Sequence, residues 1–421
     1  MSASDLKKIA ILVGGGPAPG INSVIHAATM EACQDGIDVV GIYDGFTHLM
    51  AGRLVSLPLH AEQVAYIYGE GGSILHTARA NPTRRQEDLH NVVSTLVDNG
   101  IQALITIGGD DTAFSASRVV RYAQQVMGVD LRSVHVPKTI DNDLPLPEDI
   151  TTFGFETARE VGTKLVMNLK KDAFTSRNWF LVMSMGRKAG HLALGIGKSA
   201  MATVTLIPEE WPGGNIRLQH VVDILVMTVL LRLLEGKNYG VALLAEGILE
   251  NLDEQDLLAL DNLKRDEHGH IRLADVNFLD ILKKAMETDL AGLGLQMRMV
   301  KQVLGYELRC APPVAYDIEY TRELGMAAVD YLQRGGTNAI ITLQHGQVVP
   351  IPFDDMIDSD TGRTEVRMVN INSFHYRSGY KFMTRIKPEH AADGTLFERL
   401  AGLTNTSADV LKARYAYLMQ D

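Results

Sequence analysis

The stretch Val136-Pro137-Lys138-Thr139-Ile140-Asp141-Asn142-Asp143-Leu144 places a cation, a hydroxyl and two carboxylates close together. If it leaves its strand extended, alternate side chains share a face, so Asp141 and Asp143 point together and Asn142 points away. Beside a substrate hydroxyl, Asp141 can accept a proton as the oxygen attacks a phosphoryl group, with Asp143 tuning it or facing a metal's shell. Lys138 has the charge to face a phosphate. The alternative is a turn-forming Asp/Asn cluster after a strand.

Two glycine loops accompany this stretch. Gly14-Gly15-Gly16-Pro17-Ala18-Pro19-Gly20 lies between a strand pattern, Ile9 to Val13, and a helix from Ile21 to about Gln34. Gly108-Gly109-Asp110-Asp111-Thr112 lies between a strand, Ala103 to Ile107, and a helix, Ala113 to Met127. Glycines let backbone N–H groups come close to phosphate oxygens, and a following helix adds the positive end of its dipole. An acidic residue in such a loop repels a phosphate unless a cation lies between, so Asp110 is the candidate magnesium ligand; the alternative is a helix cap.

Further candidates lie at later strand ends. In Met185-Gly186-Arg187 the arginine can clamp a phosphate or a developing negative charge. Glu246 can accept from a sugar hydroxyl. Tyr306 and Arg309 can hold a sugar and its phosphate, or simply share a helix face. His191 reads as a packed helix residue, and no His/Cys grouping has metal-ligand spacing.

The elements that carry these residues alternate as in a parallel α/β protein. Further strands are expected over 37–43, 179–185, 203–207, 241–245 and 339–343, and helices over 84–99, 156–171, 188–200, 215–236 and 316–334. Residues 264–272 look like an exposed hairpin or loop, and the tail from Asp354 is polar and less periodic. Ligands of open α/β sheets bind at the carboxyl ends of strands, where both glycine loops and the Lys138 to Asp143 stretch fall. The two loops should therefore meet at one sheet edge. The expected division is 1–152 plus about 313–362 for one domain, and 153–312 plus about 363–421 for the other.

Composition narrows the function. A chain of 421 residues with net charge -11 does not suit nucleic acid or an anionic membrane as a main partner. The two cysteines, Cys33 and Cys310, are too few for a disulfide framework and fit a reducing compartment. The apolar run at Ile9 ends in glycines rather than in a signal-peptide pattern, and Val221 to Leu234 is interrupted by Asp223 and Arg232, so a cytoplasmic protein is expected.

Together these motifs resemble the 6-phosphofructokinase family, whose hallmarks are a Gly-Gly-Asp loop, a Thr-Ile-Asp-Asn-Asp stretch and a Met-Gly-Arg turn, all present here in that order. The resemblance runs from about Ile9 to about Gly346. It implies two Rossmann-like three-layer α/β domains with mostly parallel sheets, a cleft for the sugar phosphate, Mg²⁺ dependence, and a homodimer or homotetramer. The implied reaction is phosphoryl transfer to the 1-hydroxyl of fructose 6-phosphate, with Asp141 as base and Asp110 as magnesium ligand. On the sugar-phosphate side it places Thr139, Ile140, Asp141, Met185, Gly186, Arg187, Glu246, Tyr306 and Arg309. On the donor side it places Gly15, Gly109, Asp111, Thr112 and Arg79. Arg177 and Lys301 lie near places from which a neighbouring subunit reaches the sugar phosphate, about a residue out of register.

Two departures decide the expected donor. Where ATP-using members carry Gly-Gly-Asp-Gly and Pro-Gly-Thr-Ile-Asp-Asn-Asp, this chain has Asp111 and Lys138, the pair of the pyrophosphate-dependent branch. Asp111 would stand where the α-phosphate of ATP lies, and like charges ~4 Å apart at an effective dielectric of ~20 repel by roughly 4 kcal/mol. Half of that disfavours ATP by more than about tenfold. Pyrophosphate has no third phosphate to repel. Lys138, Asp111, Asp141 and Arg187 are thus the expected catalytic set; the competing readings are an ATP-dependent enzyme and an inactive sugar-phosphate sensor.

Overall fold

The run from Ile9 to Val13 is apolar throughout because both faces of its strand are covered. The computed structural model describes residues 6–258, 277–356 and 365–420. In it, Ile9, Ile11 and Val13 of β1 (Lys8–Val13) join one core with the helices Ile21–Gln34 and Ala315–Gln333. Ala10 and Leu12 join a second core with the helices Gln86–Asp98 and Asp110–Gln125. A strand buried on both sides gives such a continuous run rather than an alternating one.

The chain divides into two compact units, Met1–Ala158 with Tyr306–Arg367, and Arg159–Gly305 with Met368–Asp421. It passes from the first to the second inside the helix Phe155–Ser176, where nothing in composition marks a boundary. The first unit continues from β1 through β2 (Asp38–Ile42), β3 (Ser56–Leu59), β4 (Ala103–Gly108) and β5 (Arg132–Pro137). The second holds β6 (Trp179–Ser184), β7 (Val204–Leu206), β8 (Gly240–Ala245) and β9 (Met299–Leu304). Then β10 (Ala339–Gln344) and β11 (Gln347–Pro352) complete the sheet of the first unit.

That first sheet has the order β11-β10-β5-β4-β1-β2-β3, parallel except for its two edge strands. Edge positions tolerate the missing N–H of Pro58, Pro350 and Pro352. Val13 is registered with Ile107, and Gly108 with Pro137, so the loops after β1, β4 and β5 leave the sheet side by side. The second sheet, β7-β8-β6-β9, is wholly parallel. Ser184 is registered with both Ala245 and Leu304, which brings Met185, Glu246 and Gly305 to one end.

Most expected elements occur with shifted ends. The helix expected from Ala113 begins at Asp110, that from 84 begins at Gln86, and that over 156–171 runs on to Ser176. The helices Leu218–Leu234 and His191–Ala200 are shorter than their apolar patterns. The edge strands β3, β9 and β11 and the helix Phe278–Gly292 were not marked by strong periodicity; β9 buries only its ends well. The tail folds into the short helices Phe374–Phe382, Leu396–Ala401 and Ala408–Tyr415. Phe397, Leu400, Leu411 and Tyr415 join the core beneath Leu218–Leu234, while Tyr376 and Met383 pack beside Ala193 and Leu194. Helices of two turns are too short for a 3.6-residue period to stand out. The loop expected at 264–272 lies outside the described residues. No helix among the described residues is long and apolar enough to cross a membrane.

Candidate active site

In the first unit the loop after β1 meets the residue that follows β5 at Gly16. Its carbonyl accepts a 2.6 Å hydrogen bond from Lys138 Nζ, and Lys138 is only 5% exposed. From the other side comes Arg309: a Cβ on Gly16 would fall 1.6 Å from Arg309 Nη2, so only glycine admits the guanidinium there. Arg309 also lies over the Tyr306 ring, 5.5 Å from its centroid, within the short helix Tyr306–Arg309. Two cations against one glycine give this loop a local positive field in an acidic protein.

The N–H of Gly14 donates to Ile107 O and that of Gly15 to Ala78 O, both at 2.9 Å, so these two amides are engaged within the fold. Gly15 also lies beside the Lys138 ammonium: a Cβ on it would stand 3.3 Å from Nζ. Thr112, 5% exposed, packs into the space a side chain on Gly14 would need, which ties the first glycine loop to the second. Arg79 follows Ala78 and is exposed.

Asp110 and Asp111 form the first turn of their helix, after Gly109 as N-cap, where the dipole favours negative charge. Asp110 is half-buried and Asp111 exposed. Among the described residues no three Asp, Glu, His or Cys side chains gather as a ready-made metal cage. A lone hard carboxylate fits Mg²⁺, which keeps several waters and takes one or two carboxylates plus phosphate oxygens.

The central stretch departs from the extended path. It bends at Ile140 and Asp141, and Asn142 has φ +57°, a left-handed conformation that Asn tolerates better than most residues. Strand alternation therefore lapses beyond Lys138, and with it the pleat that would set Asp141 and Asp143 on one face. Thr139 Oγ1 accepts from Asp141 N at 3.0 Å, and Thr139 O from the Thr152 hydroxyl at 2.7 Å. Asp141 is 7% exposed. Asp143 lies close enough to Arg367 for their charges to interact.

In the second unit, Glu246 Oε1 accepts from the backbone N–H groups of Gly186 and Arg187 at 3.0 and 2.7 Å. This fixes the turn after β6, in which exposed Arg187 takes φ +51°. Burial pushes the Glu246 carboxyl above its usual range, while the two amides and Arg187 act the other way. Glu246 thus holds the Met-Gly-Arg turn, a role the sequence reading, which gave it a sugar hydroxyl, did not reach. Met185 is half-buried and bonds Leu304 O through its N–H at 2.8 Å. Arg177 bonds Asn238, Lys301 pairs with Asp280, and His191 opens the helix His191–Ala200.

Two residues escaped the sequence reading. His135, fully buried on β5, lies 2.9 Å from Gly108 O through Nε2 and 2.8 Å from the Thr106 hydroxyl through Nδ1. A carbonyl can only accept, so Nε2 carries the proton. Burial lowers its pKa to about 3, so it is neutral; the Gly108 bond opposes this and Lys138 adds to it. Gly108 O also accepts from Lys138 N at 2.7 Å, so one carbonyl joins the second loop to the central stretch. A polar residue in the apolar run of β5 was the available signal. The second is Arg367, whose partners lie more than two hundred residues away, and no local pattern announces it.

The family model described as Phosphofructokinase matches residues 8–332. A Thermotoga maritima protein named pyrophosphate–fructose 6-phosphate 1-phosphotransferase is 47% identical over 92% of this chain and 93% of its own. One of the same name from Naegleria fowleri is 42% identical over 100% of this chain and 98% of its own. Among solved structures, a pyrophosphate-dependent phosphofructokinase from Marinobacter aquaeolei has a TM-score of 0.68 at 17% identity, covering 89% of this chain and 91% of that one, which supports the fold. A Pichia pastoris phosphofructokinase has a TM-score of 0.66 at 26% identity over 83% of this chain, which spans only 35% of that longer one. By these matches over nearly its whole length, the chain belongs to the phosphofructokinase family.

Proposed function

We propose that this chain catalyses reversible phosphoryl transfer from pyrophosphate to the 1-hydroxyl of fructose 6-phosphate, giving fructose 1,6-bisphosphate and phosphate. The observation that carries the reading is the buried Lys138 ammonium held 2.6 Å from Gly16 O, with Asp111 in the first turn of the helix after β4. This is the pair that suits a donor of two phosphates and opposes one of three. The names of the two relatives support the same substrates.

In the proposed reaction Asp141 takes the proton of the 1-hydroxyl as that oxygen attacks the near phosphorus of pyrophosphate. The bond to the bridging oxygen breaks, and the second phosphate leaves with the electron pair. Lys138 faces the charge that develops on the phosphates, and Arg309 adds a second cation at the same loop. Magnesium, when bound at Asp110, would neutralise charge on the donor. In the second unit Met185, Gly186 and Arg187 are assigned to the sugar phosphate, and Glu246 keeps the Arg187 turn in shape. In the first unit Thr139, Ile140 and Tyr306 carry the same assignment. Gly15, Gly109, Thr112 and Arg79 are assigned to the donor side.

The enzyme is proposed to work in the cytoplasm, as its cysteine usage favours, and as a homodimer or homotetramer. Exposed Phe374 and Phe382 in the second unit are the kind of apolar surface an oligomer covers.

Supplying fructose 1,6-bisphosphate, phosphate and Mg²⁺ tests the reaction from its product side. Pyrophosphate should accumulate, and Asp141→Asn should lower kcat in both directions by at least roughly a thousandfold. A chain that forms no pyrophosphate, or an Asp141→Asn variant with an unaltered rate, would sink the reading.

A further inference from the structure

Arg367 reaches across the sequence to the loop that follows Asp141. Its Nε and Nη2 donate to Asn142 O at 3.1 and 3.0 Å, and Nη2 donates also to Asn142 Oδ1. Its Nη1 donates to Leu146 O, Pro147 O and Ile150 O at 3.2, 3.0 and 2.7 Å. Its backbone N–H donates to Asp143 O at 2.9 Å. All of these groups belong to the first unit.

Residues 141–150 form neither helix nor strand, so their carbonyls have no ladder to join. Such groups require partners wherever water is excluded. One planar guanidinium meets the requirement for four of them at once, because its five N–H groups leave in fixed directions within a plane. A lysine ammonium has three donors and no plane. The carbonyl held from two nitrogens is that of Asn142, the residue with φ +57°. Asn142 Oδ1 is held a second time, by Thr152 N at 3.0 Å. The left-handed turn next to Asp141 is thus fixed through its carbonyl and its side chain, and that turn sets where the Asp141 carboxylate points.

We infer that Arg367 is a positioning residue for Asp141: its guanidinium locks the loop at Asn142 so that the carboxylate is already aimed at the proton it removes. The inference rests on the proposed role of Asp141 as base. Misplacing a base by a fraction of an ångström lowers turnover while leaving substrate contacts made elsewhere in place. A residue that served only stability would change the unfolding temperature and leave kcat alone well below it.

The test uses the full chain with Arg367→Lys, Arg367→Ala and Asp141→Asn, each assayed for kcat, for KM of both substrates and for thermal unfolding. Arg367→Lys should lose roughly 10- to 100-fold in kcat with both KM values within about threefold, at temperatures where it is folded. Guanidinium chloride at tens of millimolar should restore part of the kcat of Arg367→Ala, and sodium chloride at the same strength should not. If the Arg367 variants do not fold, Asn142→Ala tests the same turn, since alanine resists φ +57°; its kcat should fall in the same way. A folded Arg367→Lys with the parent kcat, or with raised KM values alone, overturns the inference, as does an Asn142→Ala with the parent kcat where it stands in. If either is found while Asp141→Asn is inactive, the base assignment survives and only the positioning role falls. An active Asp141→Asn removes the base assignment itself.

Discussion

Gly16 is where two cations of the first unit meet, because its carbonyl takes the Lys138 ammonium and its missing side chain admits the Arg309 guanidinium. What keeps Lys138 at that carbonyl is the neighbouring backbone: Lys138 N and His135 Nε2 share Gly108 O, and His135 can donate there only through a nitrogen that keeps its proton. The imidazole stays neutral in the fold down to about pH 3, while in the unfolded chain it takes up a second proton near the ordinary 6.5. Between those values the unfolded state binds the extra proton, so the contribution of His135 to stability is complete above pH 6.5 and is lost as the pH falls. The slope is at most about 1.4 kcal/mol per pH unit. Burial raises the carboxyls of Glu209, Glu246 and Asp317, which act in the opposite sense and are common to parent and variant. Denaturant unfolding between pH 7.5 and 5 should therefore show a weaker loss of stability on acidification in His135→Gln, whose amide can serve both partners, than in the parent. Identical slopes would mean that the imidazole is not buried neutral.

At the scale of elements, the helix Phe155–Ser176 carries the chain out of the first unit, and its first turn is fastened by Asp317 of another helix. One carboxylate oxygen accepts from Gly154 N at 2.9 Å, the other from Thr157 N and the Thr157 hydroxyl at 2.7 and 2.5 Å. Asp317→Ala leaves buried donors without a partner and should cost about 2–4 kcal/mol in urea unfolding, with Asp317→Asn costing less. A loss within about 0.5 kcal/mol, as for a surface substitution, would contradict this. Elements of this kind were legible where both faces of a strand are apolar, as in β1 and β4, and where glycines end a strand before a helix. The route of the chain through 138–143 was legible only in part: the Asp/Asn cluster offered a turn as the alternative to an extended path, and the bend with Asn142 left-handed is that alternative, but its hold by Thr152 and Arg367 comes from outside the stretch. Asp317 and Arg367 act over distances in sequence that periodicity does not span. Glu246 was found for its place at a strand end, but its engagement with two backbone amides follows from the register of β6 and β8.

The molecule as a whole carries a net charge of -11, yet it gathers buried Lys138 and the Arg309 guanidinium at one glycine loop and sets Asp110 and Asp111 on the next. On the proposed assignment, Asp111 would repel a third phosphate while Lys138 would serve the two that remain, so the arrangement would attract a compact polyanion and select against a longer one. Donor choice is then an electrostatic property of two adjacent loops. The comparison that reaches this claim most directly is the initial rate of fructose 1,6-bisphosphate formation from fructose 6-phosphate and Mg²⁺, with pyrophosphate and ATP supplied separately at equal concentrations. Turnover with pyrophosphate is expected, with a kcat/KM for ATP lower by at least about tenfold. Equal or faster turnover with ATP would contradict it and leave Asp111 and Lys138 without the role assigned to them.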